Sequence, residues 1–394
     1  MRKNNLIIIV FTMMLAVFVT ILLCPPDKKS AEEENRTLAS MPEITEESIL
    51  SGEFEQGFEN FVDDNLGFRS VFTSASKWLS SLKGISTPAG RLVYTDTDIG
   101  TGTVQKASML IVNKTIFELF VKNTVHEEEY IEAVNRYAQK LDPNIKLYAA
   151  LIPTQLEFQE PIYTNMQDSQ KETIDYIYNR LDSRIEKVDM YSALQAHSSE
   201  YVYFRSDHHW TPLGAYYAYQ KFADTTGSEP VNKDSFQKNK ITNFLGYLYR
   251  QAPSSEIASN PDTIEWYDVN PDEHIEASMT GFENGEEIPY KNPMFDKANA
   301  NYNFFLGGDH PLAMLTNYNN PNGKTIIIVR DSFANAFAPW IINNYRRVIL
   351  VDPRTYEANF DKVVKTYNPD EVMIMNYIFT PTFEDYCDLL KNLY

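Results

Sequence analysis

Leu6 to Leu23 form a run without a charge, broken only by the hydroxyls of Thr12 and Thr20 and preceded by Arg2 and Lys3. At ~1.5 Å rise per residue, such a run nearly spans a ~30 Å hydrocarbon layer. It predicts a membrane anchor over residues 1–24, with the positive flank in the cytoplasm and Pro25 onward outside it. Ile21, Leu22 and Leu23 stand before Cys24 where a cleaved signal or a lipidated cysteine needs a small residue, so the anchor is expected to stay uncut. From Pro25 to about Asn35 the chain is charged and polar, a solvated spacer. Phe54, Phe58, Phe61 and Val62, then Phe68, Val71, Phe72 and Trp78, recur at helical spacing on either side of Gly67. They predict two amphipathic helices completing the segment 25–80, as a cap on the main domain.

The pattern changes from Glu127. Apolar positions at helical spacing over Glu127–Leu141, Gln170–Ile185, Ala334–Tyr345 and Phe360–Tyr367 alternate with short apolar runs at Lys146–Ile152, Lys324–Val329, Arg347–Val351 and Glu371–Met375. Apolar strands separated by helices imply an α/β fold with a mostly parallel sheet covered on both faces. We expect residues 81–394 to form this domain. An insertion at about 234–322, rich in Asn, Pro, Gly, Asp and Tyr, breaks the rhythm. It should consist of loops and short strands, such as Phe304–Leu306, that help form a substrate surface.

Composition removes several classes of function. The chain has 394 residues, 43% of them apolar, enough for a sizeable core. Lys and Arg number 35 against 54 Asp and Glu, a net charge of −19, so a nucleic acid partner is not expected. There is no GxGxxG or GxxxxGK[ST] segment to cradle nucleotide phosphates. The two cysteines, Cys24 and Cys387, offer neither a disulfide framework nor a Cys-rich zinc site.

Two segments carry candidate chemistry. In Ser206-Asp207-His208-His209-Trp210, followed by Thr211-Pro212, Thr211 suits an N-cap and Pro212 the first helical position. An extended segment ahead of that helix would turn Asp207 and His209 to one side and His208 to the other. Asp207 could then orient His209 and stabilise its imidazolium. In the second segment the β-branched run ending at Arg330-Asp331-Ser332-Phe333 places Ser332 at a strand-to-helix turn on the C-terminal edge of the sheet, where sites of open α/β folds collect. Backbone N–H groups at the helix start could hold an oxyanion there. The rival reading is a zinc site at Asp207, His208 and His209, which needs a further ligand such as Asp309 or His310. With only six histidines in the chain, the nucleophile reading is preferred, with no metal and no cofactor. Trp210 is expected mainly to pack beneath the motif, with stacking on a sugar as its second use. Asn376 and Tyr377, after the last strand, are candidate donors to the same edge.

Asp207-His208-His209-Trp210 resembles the signature of the DHHW proteins, and Arg330-Asp331-Ser332-Phe333 is similar to their Asp-Ser-Phe block. Glu34-Asn35-Arg36-Thr37-Leu38 with Pro42, Asp64-Asn65 and Phe68-Arg69 are similar to that family as well. These proteins are relatives of the SGNH-like alginate O-acetylation proteins of bacterial envelopes. The resemblance implies an SGNH-hydrolase-like three-layer αβα sandwich with Ser332 as nucleophile, His209 as base and Asp207 as its orienter. Arg330 stands where other SGNH relatives have Gly, so it occupies the substrate edge without the glycine's oxyanion contact.

The expected activity is therefore transfer of an acyl group, most simply acetyl, to or from hydroxyls of an envelope polysaccharide through an acyl-enzyme on Ser332. Transfer and hydrolysis differ only in the acceptor, and the resemblance favours transfer. It also makes a membrane-bound O-acyltransferase the expected donor partner. The alternative is a glycan-binding or scaffold component that keeps the fold without turnover.

Overall fold

In the computed structural model the described residues are 85–87, 90–98 and 104–394 without 284, together with scattered positions between 41 and 61. The expected anchor at Leu6–Leu23 and most of the two amphipathic helices lie outside them. Ser48, Phe54, Glu55, Gly57, Phe58 and Phe61 are helical where they are described. No helix among the described residues is long and apolar enough to cross a membrane. The chain divides into two units, residues 1–82 and 83–394, and the candidate chemistry lies in the second.

That unit is built on an eight-stranded sheet. Its parallel core comprises β5 (Lys146–Ile152), β6 (Ile185–Val188), β12 (Thr325–Arg330), β13 (Arg347–Val351) and β14 (Glu371–Tyr377), in the order β13-β12-β14-β5-β6. Every residue of the central strand β12 is buried, which is why its sequence reads as an unbroken apolar run. Alternate side chains feed opposite faces: Ile326 and Ile328 join one hydrophobic cluster, Ile327 and Val329 the other. The first face is covered by α4 (Pro212–Thr226) and α6 (Ala334–Ile341) through Phe222, Phe337 and Trp340. The second is covered by α1 (Thr124–Lys140), α2 (Gln170–Tyr178), α7 (Phe360–Tyr367) and α8 (Glu384–Leu393), through Ile131, Ile174, Phe360 and Leu390. Two further short helices, α3 (Met190–Ala196) and α5 (Tyr247–Gln251), complete the set used below.

Three expectations are corrected. The helix expected over Gln170–Ile185 stops at Tyr178, because the Asp182 carboxylate accepts the Arg184 N–H at 2.8 Å and turns the chain into β6. The stretch at about 234–322 carries short strands as expected, but it does not stand apart from the main sheet. β9 (Ile275–Glu283), β10 (Glu286–Lys291) and β11 (Leu312–Asn317) extend the main sheet in antiparallel fashion, while β7 (Lys238–Phe244) pairs with β8 (Asp262–Tyr267) separately. In β9 only Ile275, Ala277 and Met279 are buried, the apolar–polar alternation of a half-buried strand. Phe304–Leu306 is not a strand: Tyr302–Phe304 forms a 3₁₀ turn and Phe305 makes a single bridge with Phe295.

Residues 85–118 hold a second sheet without a clear sequence signal, β1 (Ile85–Thr87), β2 (Gly90–Asp98), β3 (Val104–Val112) and β4 (Thr115–Glu118), all antiparallel. The β3–β4 turn is Asn113-Lys114, both at positive φ of 52° and 59°, a left-handed hairpin turn built without the glycine that usually marks one. Ile116 N–H donates to Arg205 O at 2.8 Å, so β4 runs up to the segment that carries the histidines.

Candidate active site

Ser332 stands at the end of β12, and Asp331 fixes the turn that presents it. Asp331 Oδ1 accepts the Phe333 N–H at 3.1 Å, and Oδ2 accepts from Tyr377 N–H at 2.8 Å, Thr380 Oγ1 at 3.1 Å and Asn376 Nδ2 at 3.3 Å. This ties β12 to the end of its neighbour β14, and α6 starts directly beyond. Burial pushes the Asp331 carboxyl up, against the pull of the Tyr377 N–H.

The histidine segment arrives from the other side as a tight loop closed by a bridge between Tyr203 and Trp210. Thr211 caps α4, its hydroxyl accepting the Gly214 N–H at 3.3 Å. Within the loop Asp207 Oδ1 accepts the backbone N–H of His209 at 3.0 Å and its Nδ1–H at 2.6 Å. Asp207 Oδ2 accepts the Tyr247 N–H from the start of α5 at 2.7 Å. His209 Nε2 lies 2.7 Å from Ser332 Oγ. With Nδ1 donating to the carboxylate, Nε2 is the ring's acceptor and the Ser332 hydroxyl donates to it. Asp207, His209 and Ser332 thus form one chain of hydrogen bonds, its His209–Ser332 link joining residues 123 positions apart.

Asp207 and His209 come together, but not by strand alternation. The loop is bent at every residue from Arg205 to His209, and the Asp207 side chain closes it on the residue two positions on. His208 consequently does not point away: its ring lies 3.9 Å from that of His209, centroid to centroid. The opposite face of His209 is covered by Tyr302, 3.6 Å away and within 8° of parallel. Tyr302, Gly246 and Tyr247 come from the insertion, and nothing in their sequence context marks them.

Burial alone would raise the Asp207 carboxyl, but the charge and hydrogen bond of His209, with His208 and the Tyr247 N–H, hold it well below the ordinary carboxylate range. Asp207 is therefore an anion at neutral pH. Burial and the neighbouring charge of His209 push His208 down to about 4, against Glu118, Asp207 and Asp331. His208 is therefore neutral there.

Three residues expected at the substrate edge lie elsewhere or act otherwise. Trp210 is fully buried and has no face for a sugar; its Nε1–H donates to Phe333 O at 3.0 Å, pinning the residue after Ser332. Arg330 is fully buried too, with its guanidinium 2.5 Å from Asp309 and 3.2 Å from Asp352. Asn376 is buried and committed, accepting from Tyr130 Oη at 2.9 Å and donating to Tyr386 Oη at 2.7 Å. Tyr377 does reach the site: its half-buried ring stacks on Phe333 at 5.1 Å and lies 5.8 Å from His208.

Asp207, His208 and His209 bring ligand atoms within 4.8 Å of one another, yet the partners a zinc site would need are engaged. Asp309 is held by Arg330, Arg354 and Asn335. His310 Nδ1 pairs with Tyr290 Oη at 2.6 Å and its Nε2 with Leu306 O at 2.8 Å. Neither joins the three, and no larger cluster forms among the described residues.

Fold and hydrogen-bonded triplet together describe an α/β domain with an Asp–His–Ser site at the C-terminal edge of its parallel strands. The DHHW protein family model matches residues 89–351, and the chain belongs to that family. The fold is similar to that of a DHHW family protein from Eubacterium siraeum, at 23% identity and a TM-score of 0.64, covering 78% of this chain and 98% of that one. It is also similar to Bacillus cereus PatB1 with a sulfonyl adduct, at 19% identity and a TM-score of 0.58, covering 71% and 96%. A fainter likeness links it to the O-acetyltransferase domain of Pseudomonas putida AlgJ, at 12% identity and a TM-score of 0.41, covering 73% and 100%; at that level it fixes neither fold nor function. No curated protein matches significantly.

Proposed function

We propose that this protein transfers acyl groups, most simply acetyl, to hydroxyls of a cell-envelope polysaccharide through an acyl-enzyme on Ser332. The observation that carries the reading is the pair of contacts at His209, 2.7 Å to Ser332 Oγ and 2.6 Å to Asp207. Ser332 Oγ attacks the carbonyl carbon of an acyl ester while its proton passes to His209 Nε2. Asp207 holds the ring in the tautomer that accepts that proton and stabilises the imidazolium. The proton then goes to the leaving oxygen of the donor. An acceptor hydroxyl repeats the sequence in reverse, giving its proton to His209 as Ser332 Oγ departs. Phe333 N–H is engaged by Asp331, so the Ser332 N–H is the donor this turn offers a developing oxyanion.

The sulfonyl adduct carried by PatB1 is in keeping with a shared fold that presents an activated nucleophile. Leu6–Leu23 would anchor the protein with its main domain outside the cytoplasm, next to a membrane-bound O-acyltransferase as donor. The test is labelling of the full chain with a fluorophosphonate, alongside acetate release from p-nitrophenyl acetate. Wild type should label and turn over, and Ser332→Ala and His209→Ala should abolish both. An unlabelled wild type would leave the glycan-binding scaffold as the reading.

A further inference from the structure

The histidine loop is gripped by two carboxylates, and the acyl transfer as described uses only Asp207. The second is Asp262, the first residue of β8, which is fully buried. Its Oδ2 accepts the Ser206 N–H at 2.8 Å and the Ser206 hydroxyl at 2.5 Å, and the Arg205 N–H lies 3.0 and 3.1 Å from its two oxygens. Tyr201 Oη donates to Oδ1 at 2.5 Å, and Arg205 Nε pairs with that oxygen at 3.2 Å. A carboxylate taken out of water must be matched by donors and a positive charge. Here Arg205 and Ser206, the two residues ahead of Asp207, supply most of them.

Ser206 passes this grip on to the triad. With its hydroxyl proton given to Asp262, its oxygen accepts the Gly246 N–H at 3.0 Å, and the next N–H along, that of Tyr247, goes to Asp207 Oδ2 at 2.7 Å. Two consecutive side chains of the loop thus accept two consecutive backbone donors at the start of α5. One ribbon supplies both ends of the clamp, because Asp262 pairs with Phe244 at the end of β7, two residues before Gly246. Ser206 is fully buried, so its hydroxyl cannot meet substrate. Its removal would leave the Gly246 N–H without an acceptor and Asp262 short of a donor, which costs more than the loss of an exposed bond.

We propose that Asp262 and Ser206 are positioning residues of the acyl transfer: a second carboxylate that, through one hydroxyl, fixes the start of α5 against the histidine loop and so the place of the Asp207 carboxylate beside His209. The inference rests on the acyl-enzyme reading above. Neither residue touches the reacting atoms or exchanges a proton with them. They act on the step in which His209 takes the Ser332 proton, because a displacement of about 1 Å in such a chain is enough to slow it by up to about a hundredfold. Tyr201 also donates to Asp262, but its hydroxyl makes no link to Gly246 and stands outside this route.

The experiment measures kcat per folded enzyme and KM for p-nitrophenyl acetate on the full chain, with urea midpoints on the same preparations. Ser206→Ala should lower kcat about tenfold and leave KM within about twofold. Asp262→Asn should do the same, and the double variant should lose no more than the worse single one, since both substitutions break one connection. Tyr201→Phe takes a different donor from the same carboxylate; it should lower the urea midpoint and keep kcat within about twofold. Should Asp262→Asn fail to fold, the contrast between Ser206→Ala and Tyr201→Phe decides. A wild-type kcat in Ser206→Ala, an equal fall in Tyr201→Phe, or losses that multiply in the double variant overturns the positioning role and leaves the acyl-enzyme intact. Absence of acetate release and of Ser332 labelling in wild type overturns both.

Discussion

The ring of Tyr302 lies flat on the imidazole of His209, 3.6 Å between centroids and 8° from parallel. An aromatic face attracts a cation, and most strongly where water is excluded. Tyr302 is buried, so it holds the ring in place, and under the proposed mechanism its face would also favour the imidazolium formed when Ser332 gives up its proton. Tyr302→Leu should lower kcat for p-nitrophenyl acetate about tenfold and leave KM within about twofold. Tyr302→Phe keeps the ring and should restore most of the rate. A purely structural role would change protein yield and leave kcat per folded enzyme in place.

Gly246 precedes the N–H that binds Asp207. A Cβ built on it would fall inside the van der Waals envelope of the Asp207 carboxylate, with Cβ, Cγ and Oδ2 the atoms met. The backbone there is extended, at φ −82°, so it is close approach and not conformation that requires glycine. Gly246→Ala should therefore displace Asp207. We expect kcat for p-nitrophenyl acetate to fall at least about tenfold, with a stability loss of about 1–3 kcal/mol from overpacking. Kinetics and urea denaturation of one preparation check both; unchanged kcat would show that Asp207 need not be held this tightly.

Such relationships mark the limit of what sequence alone reveals. β5, β13 and the helix at Phe360–Tyr367 were legible to the residue, because local periodicity and flanking breakers decide them. The meeting of Asp207, His209 and Ser332 was legible because few residue types can form such a hydrogen-bonded chain. The reason for their pairing was not: side-chain capping of a bent loop replaced the expected alternation. Tyr302 and Tyr247 were illegible, since each is one common residue whose position depends on contacts distant in sequence. Arg330 misled because a residue two positions before the nucleophile is expected at the substrate edge, whereas here it terminates a fully buried strand.

His208 links the site to acid stability. The folded protein holds it down to about 4, first through burial and then through the charge of His209, while Glu118, Asp207 and Asp331 face it and Tyr247 and Tyr377 enclose it. The unfolded chain protonates the same ring near ~6.5. Between these values the unfolded state binds more protons, so this contribution to stability is complete above about pH 6.5 and falls as pH drops towards 4. The loss should be on the order of 2 kcal/mol, since partial exposure of the ring screens the effect. Urea midpoints at pH 7.5 and 4.5 should differ more for wild type than for His208→Asn. Parallel losses in the two proteins would assign the acid sensitivity to other groups.

Arg330 offers the sharpest separation of structure from substrate binding. Its guanidinium is sealed between Asp309 at 2.5 Å and Asp352 at 3.2 Å, and Arg354 bridges the same carboxylates at 2.7 and 2.6 Å. Burial would raise Asp309, but Arg354 and Arg330 bring it well below the ordinary carboxylate range, so both carboxylates depend on these cations. Removing one partner of a buried ion pair strands the other charge, a loss of about 3–5 kcal/mol. Arg330→Met should thus lower the urea midpoint strongly, while KM for p-nitrophenyl acetate, measured on the folded fraction at low temperature, stays within about twofold, because the side chain has no route to the substrate. An arginine that bound substrate would show the reverse, a raised KM on a protein of ordinary stability.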